Sequence, residues 1–260
     1  METFTQKRET EKNLDNKKRL VRELDREYKS FRKIPVRLYA SEHKILLERG
    51  NQILTEAEKF EGNVRMVFID RSARPLAEFF RIRAKVRELR WDKPTKFPDI
   101  SLHFIAGERS VSKFDDATKI KAEIFKQGTK WGAKEKVFVI DEFSDSGETL
   151  EAAKVRVQNA YPDADIYLKS IFAADITAAK KYGGLVDQYR EGAPPSFYFH
   201  DSVVTKYKPD TFAEYSPEAP SNRAAFDRLL KEMKKIALED YLPSDHESYE
   251  DRVKRLGFLK

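Results

Sequence analysis

The chain has 260 residues, enough for one large domain, or one domain with appended helices, and for a core of its own. A hydrophobic content of 40%, with 18 Phe and 11 Tyr, set against 36% charged residues, predicts a folded protein with a heavily solvated surface and excludes an intrinsically disordered one. The absence of Cys excludes disulfides and thiolate metal centres, no run approaches the roughly 20 apolar residues of a transmembrane helix, and a net charge of +6 from 50 basic and 44 acidic residues does not by itself argue a nucleic-acid partner.

Met1 to Asn16 is polar and mixes both charge signs, unlike a secretory leader, so a cytoplasmic location is expected. From Phe4 to about Phe31, the residues Leu14, Leu20, Val21, Leu24 and Tyr28 form a thin apolar stripe among charged residues. That pattern predicts an appended helix lying on the domain, with a coiled coil or an RNA-contacting arm as the functional alternative. Pro35 breaks it, and Ser41 to Phe60 reads as a second amphipathic helix ending near Gly62. Val64 to Ile69 is an apolar run closing on Asp70, followed by Arg71, Ser72, Ala73 and Arg74 and then a basic helix over Leu76–Leu89. A proline-bearing loop, Trp91 to Pro98, leads to a strand over Ile100–Ala106, in which His103 has apolar neighbours and is expected as a core histidine. Gly107 to Lys113 reads as a loop before a helix around Ala117 to Gln127.

Val137 to Ile140 is short, β-branched and unalternating, the signature of a strand buried on both faces of a parallel sheet. Asp141 and Glu142 stand at its carboxyl end, where open α/β sheets place their ligands. Ser144, Asp145, Ser146, Gly147, Glu148 and Thr149 then open a helical pattern carried by Leu150, Ala153 and Val157. A helix start of small and hydroxyl residues presents free N–H groups and a positive dipole end to an anion, and paired carboxylates accept hydrogen bonds from vicinal sugar hydroxyls. Asp165 to Ala173 reads as a further strand, Pro195 to His200 as a short aromatic one, Tyr207 to Pro220 as loop, and Ser221 to Tyr241 as an amphipathic helix before a charged tail. The chain therefore divides into a helical extension (1–62), an α/β domain (63–206) and a carboxyl-terminal loop, helix and tail (207–260).

An apolar run, an Asp/Glu pair, two spacers, Asp, Ser, Gly, any residue and Thr resembles the phosphoribosyl pyrophosphate (PRPP) motif of type I phosphoribosyltransferases, most closely the purine-type members. The resemblance covers roughly Val64 to His200 and implies a mainly parallel sheet flanked by helices, with helical additions at both ends. It implies that Asp141 and Glu142 hold the ribose hydroxyls and the substrate's Mg²⁺, and that Ser144, Asp145, Ser146, Gly147, Glu148 and Thr149 cradle the 5′-phosphate. Asp145 matches the position that handles the acceptor's proton. The loop after the first strand usually reads Arg or Lys, Gly, Gly in this family. Here Arg71 matches, Ser72 and Ala73 replace the glycines, and Arg74 adds a second cation for pyrophosphate. Arg109 and Lys113 fall in the interval of the family's mobile catalytic loop, and Lys169, Phe197, Tyr198 and Phe199 are the residues available to an acceptor base. The expectation is a transferase that displaces pyrophosphate from Mg-PRPP with a nitrogen acceptor, as related enzymes do, commonly as homodimers. The alternatives are a PRPP-binding regulator without turnover and a nucleic-acid-binding protein with an incidental cradle.

Overall fold

The computed structural model describes residues 4–60, 63–70, 74–90, 99–106, 135–188, 195, 204–206, 214–215 and 220–241. Two helices lead, α1 (Phe4–Phe31) and α2 (Ala40–Ala57). Five strands follow, β1 (Asn63–Asp70), β2 (Asp99–Ala106), β3 (Lys136–Ser144), β4 (Asp165–Ala173) and β5 (Leu185–Val186), and they pair in parallel in the order β2-β1-β3-β4-β5. Helices α3 (Arg74–Arg90), α4 (Glu148–Ala160) and α5 (Ile176–Tyr182) lie between them in sequence. A two-stranded antiparallel pair, β6 (Val204–Lys206) with β7 (Glu214–Tyr215), precedes α6 (Pro220–Ala237) and a 3₁₀ turn at Glu239–Tyr241. This is the α/β architecture that the buried apolar runs lead one to expect, a parallel sheet flanked by helices. No helix among the described residues is long and apolar enough to cross a membrane.

The chain winds one way from β1 to β2 and the opposite way from β3 through β4 to β5, so right-handed crossovers require α3 and α4 on opposite faces. The core obeys this. Met66, Phe68, Phe138 and Ile140 face one cluster with Leu76, Phe79 and Phe80 of α3, whereas Val67, Val137 and Val139 face the other with Leu150, Ala153 and Val157 of α4. Alternation along β1 and β3 thus supplies both layers, which is why neither strand shows a polar face in sequence. The first cluster also takes in Leu20, Val21 and Leu24 of α1, Leu46, Ile53 and Leu54 of α2, and Leu229, Met233 and Ile236 of α6. At the amino-terminal end of the sheet, the Arg65 guanidinium donates to both oxygens of Glu135 at 3.2 and 3.1 Å and to Ser101 Oγ at 2.8 Å. His103 is fully buried, with Nε2 2.9 Å from Ser101 Oγ, in the core role its apolar neighbours suggest.

Several boundaries depart from the sequence reading. β3 runs on to Ser144 because Asp141, Phe143 and Ser144 keep pairing with Ser170, Phe172 and Ala173 of β4; the ladder is made by backbone and tolerates the carboxylates that end the apolar run. Helix α2 stops at Ala57, and the turn after it brings Phe60 within 6.1 Å of the Phe138 ring and 5.4 Å of Tyr167. α6 ends at Ala237, its continuation tightening into the 3₁₀ turn in which Tyr241 N–H donates to Leu238 O at 2.7 Å. The stretch Tyr207 to Pro220, read as loop, contains β7. The expected helix around Ala117–Gln127 lies outside the described residues, as does the aromatic strand at Pro195–His200 apart from Pro195 itself.

Candidate functional site

The strand order reverses between β1 and β3, and in open parallel sheets such a switch point opens a crevice beyond the carboxyl ends of the strands. Here the divergence can be located. Pairing between β1 and β3 ends at Phe68–Ile140, while β1 stays with β2 as far as Asp70–Ala106 and β3 stays with β4 as far as Ser144–Ala173. Asp141 and Glu142 are the first two residues of β3 past the last β1 contact, so the carboxylate pair sits at the mouth of the split.

Both carboxyls are buried, Asp141 at 8% exposure and Glu142 at 0%. Asp141 Oδ1 accepts a hydrogen bond from Glu142 N–H at 2.9 Å, whereas neither side-chain oxygen of Glu142 has a partner among the described residues. Burial raises the Asp141 carboxyl from 3.8 to about 6, opposed by the adjoining Glu142 carboxyl and by the hydrogen bond from Glu142 N–H. Burial, and then the charge of Asp141, push Glu142 well above the ordinary carboxylate range. Unpartnered buried oxygens are costly unless something supplies donors or positive charge, and a ligand's hydroxyls and its cation would do both. No group of three or more His, Cys, Asp or Glu side chains among the described residues forms a metal site of its own. Two adjacent carboxylates suit a hard divalent ion that arrives with phosphate oxygens and water as its remaining ligands.

Immediately downstream, Gly147 takes the left-handed conformation (φ 74°) as the N-cap of α4, and no side chain caps the helix. Ser146 Oγ accepts a long hydrogen bond from Glu148 N–H at 3.4 Å, so the first turn of α4 offers an anion the Thr149 and Leu150 amides, and the Glu148 amide by displacing that bond. Glycine is required at 147 twice over: its φ is unfavourable for other residues, and a Cβ there would lie 2.2 Å from the Tyr182 ring. Asp145, Ser146 and Glu148 are exposed and Thr149 half-buried. Ser144 differs from its loop neighbours, being buried in β3 with Oγ 2.9 Å from Ser170 Oγ and 3.5 Å from Phe172 O. Its hydroxyl ties β3 to β4 and does not line the loop.

The elements behind this loop are held by a residue that the motif does not contain. Arg49, on α2 and 4% exposed, donates through Nε to Ser170 O at 3.1 Å and through Nη2 to Tyr182 O at 3.4 Å. Ser170 bonds Ser144, and the Tyr182 ring packs on Gly147, so one guanidinium supports both ends of the Ser144–Gly147 turn. Its presence was legible as a cation at apolar phase, since Ile45, Leu46, Arg49 and Ile53 share one helical face. Lys169, expected at an acceptor, is ion-paired with Glu56 of α2 and in register with Ile140, so it serves the α2–β4 junction. Arg71, Ser72, Ala73, Arg109, Lys113, Phe197, Tyr198 and Phe199 lie outside the described residues, and of Arg74 only the backbone, opening α3, is described. A separate groove of about 450 Å³ lies between α1, α3 and the amino-terminal half of β2 and shares no residue with the carboxylate pair. No protein-family model matches the chain, and no curated protein matches its sequence.

Proposed function

We propose that the chain is a phosphoribosyltransferase that displaces pyrophosphate from Mg²⁺-bound PRPP with a nitrogen acceptor. The observation that carries this reading is the juxtaposition, at the β1/β3 switch point, of two buried carboxyls, one with no partner among the described residues, and an uncapped helix start five residues on. A ribose bearing vicinal hydroxyls and a 5′-phosphate presents the complementary groups in the complementary order. Asp141 and Glu142 would accept the ribose hydroxyls and hold the substrate's Mg²⁺, which supplies charge neutralisation for the phosphate oxygens. Backbone amides from Glu148 to Leu150, with the Ser146 and Thr149 hydroxyls, would anchor the 5′-phosphate.

Held at both ends, the sugar presents C1′ to the acceptor. The acceptor nitrogen's lone pair forms the new bond to C1′ as the C1′–O bond breaks, and pyrophosphate leaves with that bonding pair, inverting the centre. The transition state carries positive charge on the ring, and the protein's contribution is position and electrostatics. Asp145, exposed beside the cradle, would take the proton that the acceptor nitrogen loses, and Arg71, Arg74 and Lys113 would neutralise departing pyrophosphate. A second reading, a PRPP-binding regulator without turnover, is favoured by Ser72 and Ala73 at positions the family fills with glycine.

The test is pyrophosphate release from Mg-PRPP with purine, pyrimidine and simple amine acceptors, in wild type and in Asp141→Asn/Glu142→Gln. Acceptor-dependent release lost in the variant supports the transferase. PRPP binding without release for any acceptor favours the regulator and contradicts the enzyme.

A further inference from the structure

The helix start in the anion half of the proposed site carries acidic side chains of its own. Glu148 and Glu151 stand in the first turn of α4, where the helix dipole favours carboxylates and where a phosphate would compete with them. Glu148 is exposed, whereas Glu151 is engaged by the last turn of α5. Glu151 Oε1 accepts from Lys181 Nζ at 3.1 Å and from Tyr182 Oη at 3.3 Å, and Lys181 Nζ lies 4.9 Å from the centre of the Tyr182 ring. Glu151 N–H donates to Gly147 O at 3.0 Å, and the Tyr182 ring, 2% exposed, closes against Gly147. The three side chains therefore stand directly on the turn that would receive the phosphate. With side chains 58% and 42% exposed, the Lys181–Glu151 pair is of the kind that contributes little to stability. Its place beside the cradle has an electrostatic consequence instead.

We propose that Lys181 and Tyr182 are positioning residues of the phosphate cradle, which neutralise Glu151 and hold it toward α5 so that the α4 amides can take a dianionic phosphate monoester. An uncompensated carboxylate about 6 Å from a bound phosphate, in a half-solvated setting with an effective dielectric constant of about 40, lowers affinity about tenfold per unit of phosphate charge. Lys181 cancels that repulsion from a neighbouring helix, so no side chain of α4 has to cross its own amides to do so. The last turn of α5 suits the cation, because the carboxyl end of a helix dipole favours positive charge. Tyr182 acts twice: its ring fills the space a Cβ at position 147 would occupy, and its hydroxyl fixes the Glu151 carboxylate. The inference rests on the PRPP reading only for the identity of the phosphate-bearing ligand.

The test is calorimetric titration of Mg-PRPP, and separately of inorganic phosphate, into the full chain and its variants. Lys181→Gln is expected to weaken Mg-PRPP binding about tenfold at about 50 mM salt and by less at about 500 mM, with the melting temperature unchanged. Lys181→Gln/Glu151→Gln should restore the affinity, because the charge that Lys181 offsets is then gone, and Lys181→Arg should recover most of it. Tyr182→Phe, which keeps the ring on Gly147 and removes the donor to Glu151, should weaken binding about threefold. Lys180→Gln, the loss of an exposed cation one residue away, is the charge-matched control and should bind as wild type does. Wild-type affinity in Lys181→Gln, a loss that Glu151→Gln does not relieve, or an equal loss in Lys180→Gln overturns the proposal. Inorganic phosphate needs the α4 amides and not the carboxylate pair, so it separates the two readings. A wild type that binds phosphate with this pattern of variants but does not bind PRPP upholds the inference and overturns the PRPP reading. A folded wild type that binds neither overturns both.

Discussion

Glu142 is the residue whose environment asks most for a ligand. It is fully buried, and beside it Asp141 raises the cost of its ionisation. Because both folded-state carboxyls titrate above their unfolded values, the native state binds more protons than the unfolded one once pH exceeds the ordinary carboxylate range. This pair's contribution to stability is therefore fullest at low pH and falls as pH rises from about 4 through 6 and above. For Asp141 alone the ceiling on that loss is about 3 kcal/mol. Asp141→Asn/Glu142→Gln is expected to raise the melting temperature at neutral pH and to flatten its pH dependence, while abolishing PRPP binding; thermal melts across pH check this. An unchanged pH profile would show that the pair is already compensated. Gly147→Ala makes the opposite prediction. A left-handed φ and collision with Tyr182 should cost about 2–4 kcal/mol and weaken the phosphate cradle, measured by denaturant melts and PRPP titration.

At the scale of elements, the cradle is a strand end, a turn and a helix start, and its backing is α2. Arg49→Met keeps the length of the side chain and removes its donors to Ser170 O and Tyr182 O. The expected cost is about 2–3 kcal/mol, with PRPP affinity reduced more than urea-unfolding stability alone explains at temperatures where the variant is fully folded. Arg49→Lys, able to serve one carbonyl, should recover part of the affinity; recovery of stability without affinity would separate packing from positioning. The sequence made the front of this arrangement legible, because an unalternating β-branched run and a glycine-bearing helix start have few readings. It hid the back. α5 is seven residues long, too short for periodicity to register, although its Asp175 N-cap, accepting from Ala178 N–H at 2.8 Å, and its Gly183 C-cap are ordinary signals once the element is known. β3 likewise outlasts its apolar run because backbone pairing is indifferent to Asp141 and Glu142. Lys169 could not be assigned from sequence, since its partner Glu56 is 113 residues away on α2.

For the molecule as a whole, α1, α2 and α6 share one core cluster with the sheet, so the elements flanking the α/β unit are part of its support. Leu24→Ala on α1 should therefore destabilise the whole protein by about 3 kcal/mol in a single cooperative transition, as read by calorimetry. A separate low-temperature transition for α1 alone would show that it docks loosely. The amphipathic stripes announced that these helices pack, but not on which layer; that follows from strand order and crossover handedness, which no single segment encodes. The proposed PRPP site at the switch point makes the sharpest prediction. Calorimetric titration of Mg-PRPP into wild type and into Asp141→Asn/Glu142→Gln at neutral pH tests it most directly. Saturable binding by wild type is expected, with protons released as the raised carboxyls ionise against the ligand's cation, and no binding by the folded variant. A folded wild type that shows no heat of binding, or a variant that binds as tightly, would contradict it.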